Sequence, residues 1–345
     1  MRLILYIFAG VTLIGIAGVL AHMVNSNNYV VEVMGFHLDL PVAVWVALPA
    51  AVLLLFTVLH MAYHGTRAYM RKQKWQRDMA SLEDAVFWAL VHEPKEQKYL
   101  IDDVKRTAKV LDKANVTLTD GVEGVSDRLA KIINILTKIK NGEYVDLKEH
   151  KLHKVFNEGN PYLIQNRLNR LENDPQFVEE VMRASVKYSD MVRKQALEIF
   201  ARKATFEQAR KYAKQFDVPN FFVMLERLDK EEEMEITPDI LKEFVASLKL
   251  KCSDFVRMAR IVRRHLRPEE NLAFFRTLQK ENPKAQNAYL YLLFEYELLD
   301  EVERYLEEQD ENDFVKFRAL LELKRQNQRF KLEDLIDAES ICRNI

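Results

Sequence analysis

The sequence predicts an all-α protein: a two-helix transmembrane hairpin followed by a cytoplasmic, irregular α-solenoid. Three observations predict it. Two long uncharged apolar runs open the chain. Glycine and proline are sparse, nine of each in 345 residues, and five of the glycines precede residue 66. From Met79 onward apolar residues recur at helical spacing, and almost no β-turn signal interrupts them.

Leu3 to Val24 carries no formal charge over 22 residues, and Leu40 to His64 likewise lacks Lys, Arg, Asp and Glu. At 1.5 Å per residue, each run covers a hydrocarbon core of roughly 30 Å. The spans are expected at about residues 3–24 and 40–62, making residues 1–64 a hairpin. The first run is read as a retained span. It is longer than a signal-peptide core, no small-residue cleavage pattern closes it, and a second span follows.

Orientation follows from the cations. His22 to Asp39 contains no Lys or Arg, whereas Arg67, Arg71, Lys72, Lys74 and Arg77 follow the second run. The positive-inside rule puts that cluster, and with it both termini, in the cytoplasm. The same five cations are candidates for contact with anionic lipid headgroups. Trp45, Tyr63, Tyr69 and Trp75 fall near the expected interfaces. Gly10, Ala17, Gly18 and Ala21 share a face of the first span, and Ala43, Ala47, Ala50 and Ala51 supply small residues on the second. They are read as the surface on which the two helices meet, with a surface for another membrane protein as the alternative. Pro49 is a candidate kink. Between the spans, Val30 to Val33 is expected to extend briefly, with Gly35 turning the chain.

Charge is divided unevenly. Residues 1–64 carry only Arg2, Glu32 and Asp39, which leaves 50 of the 51 basic and 50 of the 52 acidic side chains for residues 65–345. So balanced a charge, with abundant Leu, Phe and Tyr, indicates a folded helical chain and argues against a nucleic-acid partner. Cys252 and Cys342 are isolated, no C-x-x-C occurs, and no disulfide is expected.

Residues 65–80 are read as a basic juxtamembrane helix and 81–160 as a first helical subdomain. Leu82, Ala85, Val86, Ala89 and Leu90 form one stripe; Leu100, Ile101, Val104, Ala108 and Leu111 the next; Leu129, Ile132, Ile133, Leu136 and Ile139 a third. Asn141-Gly142 stops the third helix, and 141–161 is expected to be a loop with one short helix. Residues 161–345 read as a helical-repeat-like domain. Pro175, Pro219, Pro238, Pro268 and Pro283 mark helix starts, with Asp174 and Thr237 as caps.

Asn27-x-x-x-Val31-x-Val33, then Leu38-x-Leu40-Pro41 leading into the second run, resembles the membrane hairpin of lipopolysaccharide assembly protein A domain proteins. The basic stretch followed by Leu82-Glu83-Asp84-Ala85 is similar to HemY-type proteins, which carry two spans and then tetratricopeptide-like helices. Within the later domain, Gln195 to Ala201 with Phe206 to Tyr212, and Tyr289 to Tyr296 with Leu299 to Tyr305, have the texture of such helix pairs, without a full repeat consensus. The resemblance covers about the first 90 residues. It implies a bacterial inner-membrane protein with a cytoplasmic helical domain, acting in envelope or lipopolysaccharide assembly or its regulation. It transfers no catalytic residue.

Chemistry-bearing motifs are few. Nucleotide loops and a nucleophile elbow are absent, and paired carboxylates are too numerous for spacing to select a catalytic pair. His60 and His64, at i and i+4, are the candidate metal or haem ligands and define an alternative, haem-linked reading. Another alternative is a membrane-surface enzyme with no recognisable motif. His150 and His153 read as surface residues. Arg257, Arg260, Arg264 and Arg267 form a helical stripe downstream of the acidic run Asp229 to Glu235. The stripe is either a solvated face partly neutralised by that run or a surface for an acidic partner. The expectation is a non-enzymatic scaffold without a cofactor, contacting membrane lipids and protein partners.

Overall fold

The computed structural model describes residues 2–33, 36–118, 122–231, 234–326 and 341–342. They form fifteen α-helices and one two-stranded ribbon, and divide into two compact units, Met1–Ile133 and Asn134–Ile345.

The first unit begins with α1 (Arg2–Val24), the ribbon strands β1 (Asn28–Val33) and β2 (Phe36–Pro41), and α2 (Val42–Leu90). Helix α1 and the start of α2 are each long and apolar enough to cross a membrane, and neither apolar window is buried in protein. The two helices pack together with Gly10 against Leu54, whereas Gly18, expected on the same meeting face, would have nothing within 4 Å of an added Cβ. A Cβ added at Gly10 would lie 2.5 Å from Leu54 Cδ1, so glycine permits this close approach. Pro49 is carried inside α2, and the helix runs on without a break. The basic stretch is therefore part of the same 49-residue helix as the second apolar run, which at 1.5 Å per residue extends about 74 Å.

The ribbon adds strand to a chain expected to be all-α. Its register pairs Tyr29 with Leu40, Val31 with Leu38, and Glu32 with His37. Residues 34 and 35, including the expected Gly35 turn, lie outside the described residues.

The last turns of α2 organise the rest of this unit. Asp78 is fully buried, and its two carboxylate oxygens accept the Leu100 and Ile101 N–H groups, each at 2.8 Å. Val116 N–H donates to the Ala89 carbonyl at 3.0 Å, and the Lys95 ammonium sits 3.4 Å from the Trp88 ring centroid. These contacts hold residues 91–101 in extended and turn conformations, so the helical period expected throughout from Met79 is interrupted. Helix α3 is only Asp102–Ala108, and the stripe drawn from Leu100 to Leu111 is not one helix. Burial, then the charges of Asp112 and Asp78, push the Tyr99 phenol up. Asp78→Ala is expected to strand two backbone donors and cost about 3 kcal/mol. That corresponds to roughly 100-fold faster amide exchange at Leu100 and Ile101, measurable by hydrogen–deuterium exchange.

Helix α4 (Asp127–Lys140) buries Ile132, Ile135, Leu136 and Ile139 and ends where expected, with Gly142 at φ +89°. The following stretch to Asn160 contains turns and no α-helix, against the short helix expected there. Buried Asn166 stands in for a paired strand: its Oδ1 accepts the Val145 N–H at 2.9 Å and its Nδ2 donates to the Val145 carbonyl at 2.8 Å. Asn169 Nδ2 donates to the carbonyls of Ile139 and Glu143, closing the end of α4.

The second unit continues with α5 (Pro161–Asn173), α6 (Pro175–Arg183), α7 (Asp190–Lys203), α8 (Phe206–Arg210) and α9 (Val218–Arg227). Then come α10 (Pro238–Ser247), α11 (Cys252–Val262), α12 (Pro268–Glu281), α13 (Gln286–Glu295), α14 (Leu299–Glu307) and α15 (Val315–Arg325). Proline opens α5, α6, α10 and α12, and occupies the first turn of α9. Asp174 and Thr237 cap as expected, accepting from Phe177 N and Ile240 N. One continuous apolar core runs from Leu171 to Leu321. At its centre Phe244 (α10) stacks on Phe221 (α9) at 5.3 Å and meets Phe206 and Phe216 edge-on.

A disulfide joins Cys252 to Cys342, against the expectation that the two cysteines are isolated. They are 90 residues apart, and no local spacing signal could have paired them. Buried Asn287 Nδ2 donates both to Cys252 Sγ and to the Ile341 carbonyl, each at 3.1 Å.

Candidate functional site

The arginine stripe is held by acids contributed from neighbouring turns. Helix α11 and the turn after it direct these side chains toward the end of α9 and the turn beyond it. Arg257 ion-pairs with Glu226 while its guanidinium lies 4.3 Å from the Phe222 ring centroid. Arg264 reaches Asp229 Oδ2 at 3.3 Å, and His265 Nε2 hydrogen-bonds Asp229 Oδ1 at 2.9 Å. That hydrogen bond, supported by the Arg264 charge, holds the Asp229 carboxyl below the usual carboxylate range. Arg267 pairs with Glu270 one turn along α12. Arg263, between the stripe positions, pairs with the half-buried Glu295. Arg260 is exposed and has no acidic partner among the described residues. Four cations of the sequence pattern thus become three ion pairs and one open charge.

The upstream acidic run is similarly engaged. Glu231 takes a two-point contact from Arg227, at 2.9 and 2.7 Å. Arg227 also donates to the Ala201 and Ala204 carbonyls, capping the end of α7. Glu232 and Glu233 lie outside the described residues.

A groove of about 460 Å³ lies on another face of the second unit, with Val181, Met182 and Leu197 among its walls. Its rim carries Asp190, Arg193, Lys194, Lys214 and Asp217. Asp190 is taken by Arg193, and Asp217 caps α9 by accepting from Asn220 N. That leaves Lys194 and Lys214 as exposed cations without an acidic partner among the described residues. Apolar walls beside two exposed lysines suit an acidic, partly apolar peptide. Nothing local in the sequence marks the groove, because its lining comes from α6, α7 and the turn before α9.

On α2, the His60 and His64 rings lie 4.3 Å apart, so the i, i+4 pair shares a face as expected. Among the described residues no group of three or more His, Cys, Asp or Glu side chains is placed to hold a metal ion. His150 and His153 are exposed. Arg67, Arg71, Lys72, Lys74 and Arg77 are all exposed along the bare middle of α2.

No protein-family model, curated protein or solved structure matches the chain.

Proposed function

We propose that this protein is a non-enzymatic scaffold, anchored in the bacterial inner membrane by α1 and α2, that presents its helical second unit to cytoplasmic protein partners. The observation that carries this reading is the unbroken helix α2. It begins in an apolar, uncharged run, passes through five exposed cations, and ends at buried residues of a folded unit. In this reading both termini are cytoplasmic, the ribbon faces the other side, and the cations meet anionic headgroups at about 1 kcal/mol each. The stacked helix pairs of the second unit, of degenerate tetratricopeptide-like character, supply the partner-binding surface. The resemblance of the first 90 residues points to envelope or lipopolysaccharide assembly, or its regulation, as the process.

Within that unit the groove rimmed by Lys194 and Lys214 is assigned as the main contact surface, with Arg260 the open position of the stripe. Crosslinking pull-downs from detergent extracts should compare three chains: wild type, Lys194→Glu with Lys214→Glu, and Arg257, Arg260 and Arg264 changed to Glu. The groove variant is expected to lose most of the proteins recovered with wild type, and the stripe variant few. Identical recovery from all three would overturn the assignment. A Soret band in the purified protein that disappears in His60→Ala would replace the scaffold reading with a haem-linked one.

A further inference from the structure

The two-stranded ribbon between α1 and α2 is amphipathic across its width. Residues directly opposite each other in an antiparallel pair lie on the same face. The register therefore puts Tyr29, Leu40, Val31 and Leu38 on one face. The other face carries Asn28, Pro41, Val30, Asp39, Glu32 and His37, so every charged or titratable strand residue except the Tyr29 phenol is segregated there. His37 Nε2 and Glu32 Oε1 confirm that face by meeting at 3.2 Å. On the apolar face, Tyr29 remains 62% exposed and Leu38 43% exposed.

The root of the ribbon has no slack. Asn25 N–H still donates to the Ala21 carbonyl of α1, Val42 N–H, at the first residue of α2, donates to the Asn27 carbonyl, and β2 passes into α2 without a linker. Trp45, one turn into α2, donates its indole N–H to the Tyr29 carbonyl at 3.0 Å. An isolated two-stranded ribbon is marginal in water unless a third surface covers its apolar side. The surface continuous with both of its ends is the one the two apolar helices enter.

Building on the membrane-anchored reading, we propose that the ribbon is itself a membrane-binding element. It lies flat on the bilayer surface opposite the basic cluster. Tyr29, Val31, Leu38 and Leu40 are sunk at the headgroup–acyl boundary, and Glu32, His37 and Asp39 face water. Trp45 sits at the same depth and fixes the ribbon's angle to α2, in keeping with the preference of Trp for that interface. The occupant of the apolar face is lipid, and the device adds an in-plane anchor to the two spans.

Depth measurements by fluorescence test this. In a full-length Cys252→Ser, Cys342→Ser background, a nitrobenzoxadiazole probe is attached at Leu38→Cys, Asp39→Cys or Leu53→Cys. The protein is then reconstituted in phosphatidylcholine–phosphatidylglycerol vesicles. At positions 38 and 53, acyl-chain nitroxides are expected to quench several-fold more strongly than aqueous iodide, and at position 39 the order should reverse. Lipid quenching at 53 with iodide quenching at 38 would overturn the ribbon proposal and leave the spans standing. Iodide quenching at 53 would overturn both. A probe at 38 shielded from both quenchers would show that protein covers this face, and would overturn the assignment to lipid.

Discussion

Phe244→Ala should destabilise the second unit by about 3–5 kcal/mol, the range for truncating a fully buried aromatic side chain. The ring is inaccessible to solvent and touches rings from three different parts of the chain. Phe206 comes from α8, Phe216 from the segment before α9, and Phe221 from α9 itself. Removing it therefore does more than subtract one side chain's transfer energy. It opens a void bordered by three rings whose edge-to-face and stacked contacts all end on the missing partner, and such pairs carry about 0.5–1.5 kcal/mol each beyond area burial. The neighbours cannot collapse into the gap easily, because α8 is held by a capping box between Thr205 and Gln208, and α9 by the Asp217 cap. Denaturant unfolding of the detergent-solubilised chain, followed by helical circular dichroism, should show the shifted transition. Phe244→Leu, which keeps most of the volume, should recover more than half of the loss. An Ala variant with an unshifted transition would mean that these helices do not share one core.

How far the sequence could be read depended on the range of the interaction involved. The helix starts of the second unit were legible because a cap and a first-turn proline act within four residues: Asp174 with Pro175 and Thr237 with Pro238 are self-contained devices. The stop at Asn141-Gly142 was legible for the same reason. Leu100 to Leu111 misled, since helical spacing was present but a distant carboxylate, Asp78, captured the amides of Leu100 and Ile101 and fixed a different backbone. The ribbon carries a local signal in its second strand. Phe36-His-Leu-Asp-Leu40 alternates apolar and polar residues, and Tyr29 to Val33 is rich in β-branched residues, although the expected extension covers only Val30 to Val33. The arginine stripe shows the limit most clearly. The helix expected to carry it ends at Val262, leaving Arg264 in the following turn and Arg267 at the start of α12. The acids that face Arg257 and Arg264 are Glu226 and Asp229, 31 and 35 residues upstream, which only packing brings within reach. The groove with Lys194 and Lys214 has no contiguous sequence counterpart at all.

Opening the Cys252–Cys342 disulfide should cost the second unit up to about 4.6 kcal/mol, the chain-entropy value for a closed loop of some 90 residues. The bond ties the start of α11 to Cys342 beyond α15, so it constrains the C-terminal portion of the unit, somewhat less than half of it, in the unfolded state. The only described polar contact supporting the Cys342 end, beside the bond itself, is the hydrogen bond from Asn287 to the Ile341 carbonyl. That hydrogen bond contributes about 1 kcal/mol, beside the half-buried packing of Ile341 and Cys342 against the core. Reduction by a small dithiol, or Cys252→Ser, should therefore lower the unfolding midpoint. The serine variant should show no further response to reductant; a midpoint indifferent to reduction would mean the bond contributes nothing. The same pair reports on topology. Disulfides persist in oxidising compartments and are opened in the cytosol, whereas the orientation proposed from the five cations after the second apolar run puts the second unit in the cytosol. Rapid alkylation of intact cells should accordingly trap Cys252 and Cys342 as thiols, with the disulfide forming on oxidation after extraction. A pair found bonded in cells would place the second unit on the opposite side of the membrane and overturn the orientation drawn from the charges.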